Sequence, residues 1–152
     1  MVKIATWNVN SVKARLPHLL RWLDDFSPDI VLLQELKCVA EAFPHAEVED
    51  KGYNIAVSGQ KTYNGVAVIS RNEGADIITD FPGFEDPQRR ILAATIDGVR
   101  VINLYIPNGT SVGSEKYDYK MSWLAALRIF LKDANRTGTA KLTCKLLCWQ
   151  HR

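Results

Sequence analysis

The chain has 152 residues, the length of one ordinary domain. Apolar residues make up 47% and charged residues 24%, a balance that supports a core and excludes disordered, collagen-like and disulfide-rich classes. The net charge of +2 conceals an asymmetry: residues 128–152 hold six Lys or Arg against one Asp, a net of +5, which leaves residues 1–127 with thirteen cations against sixteen anions, −3. A chain-wide basic footprint for nucleic acid is therefore absent, and such a partner must be met by local groups.

Val2 to Val9 alternates and is β-prone, with Val2 and Ile4 on one side and Ala5, Trp7 and Val9 on the other, which predicts a first strand. Lys3 is followed too soon by Thr6, Asn8 and Asn10 for a signal peptide, and no apolar run approaches the roughly 20 residues that cross a bilayer. A cytoplasmic protein with no membrane partner is expected. Leu16, Leu19, Leu20, Leu23 and Phe26 recur at helical spacing, with Pro17 suited to a first turn and Ser27-Pro28 ending the pattern. Asp29 to Leu33 reads as a strand covered on both faces, closed by Gln34-Glu35. Tyr53–Ser58, Val66–Ser70, Ala75–Thr79, Ile91–Ile96 and Val99–Ile106 are then short β-like runs, and Asp97-Gly98 joins the last two as a hairpin. A second helix fits Glu115 to about Lys132, with Tyr117, Met121, Leu124, Leu127 and Leu131 as its apolar stripe. Strand, helix and strand followed by hairpins predict an α/β chain with a mixed sheet.

The remainder, from Arg136 to Arg152, is basic and rich in Thr, and only Leu142 to Trp149 reads as weakly strand-like. Cys38, Cys144 and Cys148 are sparse and odd in number, as expected of reduced thiols. Cys144, Cys148 and His151 can be drawn as three zinc ligands, but a fourth is missing and a chance cluster is the expectation.

Three of the expected strands end in polar residues: Asn8 and Asn10, Gln34-Glu35, and Tyr105 with Asn108. Ligands gather outside the carboxyl ends of strands in α/β sheets, so Asn8, Glu35 and Tyr105 are candidates to meet there. Each has a plain alternative. Asn8 and Asn10 suit a cap on the turn into the helix, Glu35 a solvated strand-end carboxylate, and Tyr105 a half-buried strand aromatic.

Five stretches, taken together, resemble the exonuclease III family of metal-dependent DNA repair nucleases within the endonuclease/exonuclease/phosphatase superfamily. They are Thr6-Trp7-Asn8-Val9-Asn10-Ser11, the run from Pro28 to Lys37 ending Leu33-Gln34-Glu35-Leu36-Lys37, Asn64-Gly65-Val66-Ala67-Val68-Ile69-Ser70-Arg71, Gln88-Arg89-Arg90-Ile91, and Asn103-Leu104-Tyr105-Ile106-Pro107-Asn108-Gly109. The resemblance runs from Lys3 to about Arg128. It implies a four-layered α/β sandwich, of which residues 1–128 would be the first half and 129–152 a divergent basic tail. It implies Mg²⁺, or Mn²⁺, on Glu35 with Asn10 and Asn8 beside it, a hard-cation site built on oxygen. It further implies Tyr105 with its hydroxyl on the scissile phosphate, and Asn108, Arg89, Arg90 and Lys37 on the DNA backbone; for the arginine pair a solvated strand edge is the alternative. The implied partner is double-stranded DNA, abasic or 3′-damaged, with no obligate protein partner, and the implied reaction is phosphodiester hydrolysis without a covalent intermediate.

The sequence also departs from that family. The Gly-Asp-x-Asn motif, a later Asp and a Ser-Asp-His motif are absent, and no Asp follows Asp133. The change of charge and wording near Arg128 suggests a reading-frame change or truncation near Ile129, with a natural short paralogue as the alternative. Impaired activity is expected, as is an uncovered apolar sheet face of several hundred Å² favouring association. A phosphoinositide or phospholipid phosphodiesterase and a non-catalytic remnant are the competing functional readings.

Overall fold

A computed structural model describes residues 1–136 and 143–144. The first sheet contains β1 (Ile4–Asn8), β2 (Ile30–Gln34), β3 (Asn54–Ser58) and β4 (Val66–Ser70) in the order β1-β2-β4-β3. β1 and β2 are parallel, joined by α1 (Val12–Phe26), and the remaining pairs are antiparallel. The second sheet contains β5 (Ala75–Ile78), β6 (Ile91–Ile96), β7 (Val99–Leu104) and the two-residue β8 (Thr143–Cys144), in sequence order. A short α2 (His45–Glu49) precedes β3, and α3 spans Glu115–Arg136. The Cys144, Cys148 and His151 group, for which chance was the expectation, lies outside the described residues apart from the backbone of Cys144.

Strand alternation sorts the apolar residues into three layers. Val31, Leu33, Ala67 and Ile69 face α1 and pack with Val12, Leu19 and Leu23. Ile30, Leu32, Val66 and Val68 face the other way, against Leu92, Ala94, Ile96 and Val101 of the second sheet. Ile91, Ala93, Ile102 and Leu104 then meet Trp123, Leu127 and Phe130 of α3. The order is helix, sheet, sheet, helix. The fold is thus the expected mixed α/β sandwich, but the uncovered face is not found among the described residues: each sheet already covers the other, and each outer face carries a helix. The sequence reading assumed one sheet where the hairpins build a second.

Local differences have simple causes. Ser11, whose hydroxyl accepts from the Ala14 N–H at 3.4 Å, caps α1 one turn earlier than the apolar pattern begins. Pro17 therefore sits beyond the first turn, inside the helix. Ser27 ends α1 in the left-handed region with φ 42°. Asp97 and Gly98 both have positive φ, 50° and 74°, the twist that suits a two-residue hairpin. On α3 the buried stripe is Trp123, Leu127 and Phe130, while Met121 is 47% exposed. The rings decide this: Phe81 packs edge-on to Trp123 at 5.1 Å and against Phe130 at 5.6 Å, burying more area than the aliphatic stripe would.

A cleft of about 520 Å³ opens between the edges of β3 and β5, lined by Asn54, Ser70 and Ile77 among others. It lies at the opposite strand ends from Glu35, because Asn54, Ser70 and Ile30 are register partners at the start of β2. No helix among the described residues is long and apolar enough to cross a membrane.

Trp123→Ala is expected to lower the unfolding free energy by about 3–5 kcal/mol, whereas Met121→Ala on the same helix should change it by less than about 0.5 kcal/mol. Urea midpoints of the two variants check the assignment of the buried stripe.

Candidate active site

The layer between the sheets turns polar at one end. Thr6 and Asn8 on β1, Gln34 on β2, and Asn103 and Tyr105 at the end of β7 share the strand parity of the apolar residues that fill the layer. Beyond Gln34 the strand breaks its alternation, with Glu35 at φ 61° and Lys37 at φ 57°. The adjoining turn after β1 does the same, with Asn10 at φ 44° and Ser11 at φ 89°. Such conformations cost of order 1–3 kcal/mol each and persist where surroundings over-determine them. Here the Ser11 and Val12 N–H groups donate to the Glu35 and Leu36 carbonyls at 2.8 and 3.1 Å, while the Leu36 and Lys37 N–H groups donate to Gly65 and Asn64 at 3.2 and 3.0 Å. Gly65 itself has φ 90°, and a Cβ there would meet that of Leu36 at 3.1 Å.

The resulting geometry brings several expected residues together. The Glu35 side chain is only 12% exposed, and the Lys37 ammonium lies 3.2 Å from its Oε1. The same ammonium donates to Asn10 Oδ1, so two oxygens converge on one cation-sized position. The donor set, one carboxylate and one amide oxygen, is of the kind a hard cation takes. No group of three or more His, Cys, Asp or Glu able to hold a metal occurs among the described residues. Asn8 is the register partner of Gln34, and its Oδ1 accepts the Asn10 N–H at 3.1 Å. Its turn-capping role is therefore present alongside any other.

Tyr105 stands against Glu35. Burial pushes its phenol up from the ordinary value, the Glu35 charge pushes it further, and Arg90 pulls it down. Arg90 lies 4.9 Å from the ring centroid, donates to the Tyr105 carbonyl at 3.1 Å and is held by Gln88 Oε1 at 2.8 Å. The Arg90 guanidinium is thus engaged by Tyr105 and Gln88. Arg89 pairs with Asp80, 3.0 Å to Oδ1, the solvated-edge alternative. Asn108 lies on the exposed loop after Tyr105, where its Oδ1 accepts the Thr110 N–H at 3.0 Å.

Sequence reasoning missed Gln34, Asn103 and the Tyr119–Asp86 hydrogen bond of 2.7 Å. The signal for the first two was available: each is a polar residue at a position where alternation calls for an apolar one.

The sequence of residues 5–142 matches the model of the Endonuclease/Exonuclease/phosphatase family. The chain belongs to that family. It is similar to exodeoxyribonuclease III of Haemophilus influenzae, 35% identical over 137 residues that make up 86% of this chain and 51% of that protein. It is similar to the DNA repair nuclease APEX1 of Danio rerio, 29% identical over 86% of this chain and 44% of that protein. Among solved structures, a 3′ phosphatase from Neisseria bound to a product DNA hairpin superposes with a TM-score of 0.90 and 48% identity, covering 93% of this chain and 55% of that one. An AP endonuclease from Archaeoglobus fulgidus gives 0.84 and 41%, over 88% and 52%. This member of the endonuclease/exonuclease/phosphatase family spans about half the length of the curated relatives it matches.

Alkaline pH should destabilise the fold. Burial raises the Cys38 thiol, and burial with neighbouring carboxylates raises the Tyr105 and Tyr119 phenols. A raised folded-state value contributes stability that is complete below the unfolded value and is lost as pH climbs toward the folded one. Thermal midpoints are therefore expected to fall above about pH 9, with Tyr119→Phe flattening the decline above about pH 10.

Proposed function

We propose that this site hydrolyses phosphodiester or phosphomonoester bonds at abasic or 3′-damaged positions of double-stranded DNA, with Mg²⁺ or Mn²⁺ held by Glu35 and Asn10. The observation that supports this most is the meeting of Glu35 and Asn10 oxygens on one ammonium, with the Tyr105 phenol against the same carboxylate. The names of the longer relatives, all acting on DNA, point to the same substrate.

In this reading Glu35 and Asn10, whose oxygens now meet the Lys37 ammonium, would hold a divalent ion, which would supply positive charge to offset that on the phosphate oxygens during in-line attack by water. Burial and Glu35 keep the Tyr105 phenol protonated at neutral pH, so it serves as a hydrogen-bond donor to a phosphate oxygen. Arg90 holds that phenol in place from behind. Asn8 and Asn108 each have their Oδ1 engaged by a backbone N–H, which leaves their amide N–H groups as phosphate donors. Lys37 and Arg89 supply backbone contacts once released from Glu35 and Asp80.

The rate should be low. Gly-Asp-x-Asn and Ser-Asp-His, which the family resemblance implies as further site groups, do not occur in these 152 residues, and a general acid or base typically contributes 10²- to 10⁴-fold. A second reading, divalent binding without hydrolysis, is favoured by the single carboxylate.

The test is Mg²⁺-dependent turnover of abasic and 3′-phosphorylated duplexes beside phosphoinositide vesicles, comparing the chain with Glu35→Ala. Slow DNA cleavage abolished by the substitution supports the reading, and vesicle hydrolysis alone would overturn it. Binding of Mn²⁺ with no turnover would establish the second reading. Lys37→Gln is expected to tighten Mn²⁺ binding about fivefold, because the ion no longer displaces a partly exposed ion pair worth about 1 kcal/mol; calorimetric titration measures it.

A further inference from the structure

We propose that Gln34 and Asn103 are positioning residues, a buried amide pair that sets the spacing between Glu35 on one sheet and Tyr105 on the other. This rests on the reading of Glu35 and Tyr105 as the groups that meet the phosphate.

Gln34 and Asn103 are 3% and 1% exposed. Gln34 Nε2 donates to Asn103 Oδ1 at 2.7 Å, and also approaches Thr6 Oγ1 and the Leu32 carbonyl at 3.0 Å. Asn103 Nδ2 donates to the Leu33 and Ala67 carbonyls, both at 2.8 Å. Leu33 and Ala67 are register partners on β2 and β4, so one side chain of the second sheet grips two strands of the first. These donations fix both amide orientations, since turning Gln34 over would set its oxygen against the Leu32 and Asn103 oxygens. Gln34 Oε1 is left buried without a partner.

Energy does not explain this arrangement. An apolar pair of the same shape would fill the layer and spare an unsatisfied buried oxygen, which offsets the donations lost to the Leu33 and Ala67 carbonyls. What the amides add is direction. The rest of the inter-sheet layer, Ile30, Leu32, Val66 and Val68 against Leu92, Ala94, Ile96 and Val101, is non-directional and tolerates sliding. Gln34 immediately precedes Glu35, and Asn103 lies two residues before Tyr105 on the same face of its strand. Fixing one amide to the other fixes carboxylate against phenol, where a misplacement of about 1 Å can cost 10²-fold in rate.

The test uses the full chain, free of metal, and reads the nuclear Overhauser cross-peak between the Tyr105 ring and the Glu35 methylenes by NMR. In Asn103→Leu and in Gln34→Met this cross-peak should be lost or fall by more than half, while contacts within the Leu19–Leu23 and Trp123–Phe130 cores persist. The double variant should melt within a few degrees of the parent. Turnover of 3′-phosphorylated duplex should fall in kcat about 10- to 100-fold, with KM nearly unchanged. A full-strength cross-peak in either folded variant overturns the proposal. If the variants do not fold, exchange decides it: the side-chain NH₂ protons of Gln34 and Asn103 must exchange far more slowly than those of the exposed Asn72, and equal rates overturn it. Loss of the cross-peak in a chain whose parent cleaves no DNA would leave the amide pair in its role and reject the hydrolase reading alone.

Discussion

Two sheets can share a layer only where both present apolar residues at every second position. The site exists because that rule is broken at one end. From Ile30 through Leu32 the inward residues of β2 are aliphatic, and the next is Gln34; on β7 Val101 is followed by Asn103 and then Tyr105. Polar groups thereby reach the margin of a rigid core without a loop to carry them. Their positions along each strand are inherited from that strand's own hydrogen-bonded sheet, which is less deformable than any loop.

The backbone at Glu35 solves a related problem. Regular alternation would place Glu35 on the side of Val31 and Leu33, in the apolar layer under α1. A carboxylate there would be uncompensated, at a cost of several kcal/mol. The left-handed conformation at Glu35, φ 61°, is of order 1–2 kcal/mol and redirects the chain, so that Leu36 takes the apolar place instead and is fully buried. The strain is the smaller of the two penalties, and the hydrogen bonds to Gly65, Asn64, Ser11 and Val12 offset it.

Much of this was legible in the residues. The strands from β2 to β7 fall within a residue or two of their alternating runs, and Asp97-Gly98 announced its turn, because such signals are local. The pairing of strands into two sheets was not legible, since β2 with β4 and β6 with β7 are equally good antiparallel neighbours on pattern alone. The α3 stripe was misread for the same reason: Met121 and Trp123 are both apolar, and only the position of Phe81 across the layer chooses between them. Asn8, Glu35 and Tyr105 were singled out by their place at strand ends, and the structure sets the Tyr105 phenol against the Glu35 carboxylate. Gln34 and Asn103 escaped because their function lies in contacting each other, across 69 residues of sequence.

Charge is ordered by depth in the way desolvation requires. Neutral amides occupy the fully buried positions, the Glu35 carboxylate lies above them at 12% exposure, and the Lys37 ammonium is outermost at 33%. Reversing that order would bury a charge without water or partner. On the proposed function, the same order governs what a phosphate would meet. It encounters the ammonium before the carboxylate, so attraction at the rim precedes repulsion beneath it, and a residue 1–127 segment of net charge −3 can still present a locally neutral or positive entrance. Only when the ammonium is drawn toward the phosphate does Glu35 lose its counter-charge. In the proposed reaction another cation would then take that place, so that the proposed divalent ion and an anionic substrate would favour one another's binding.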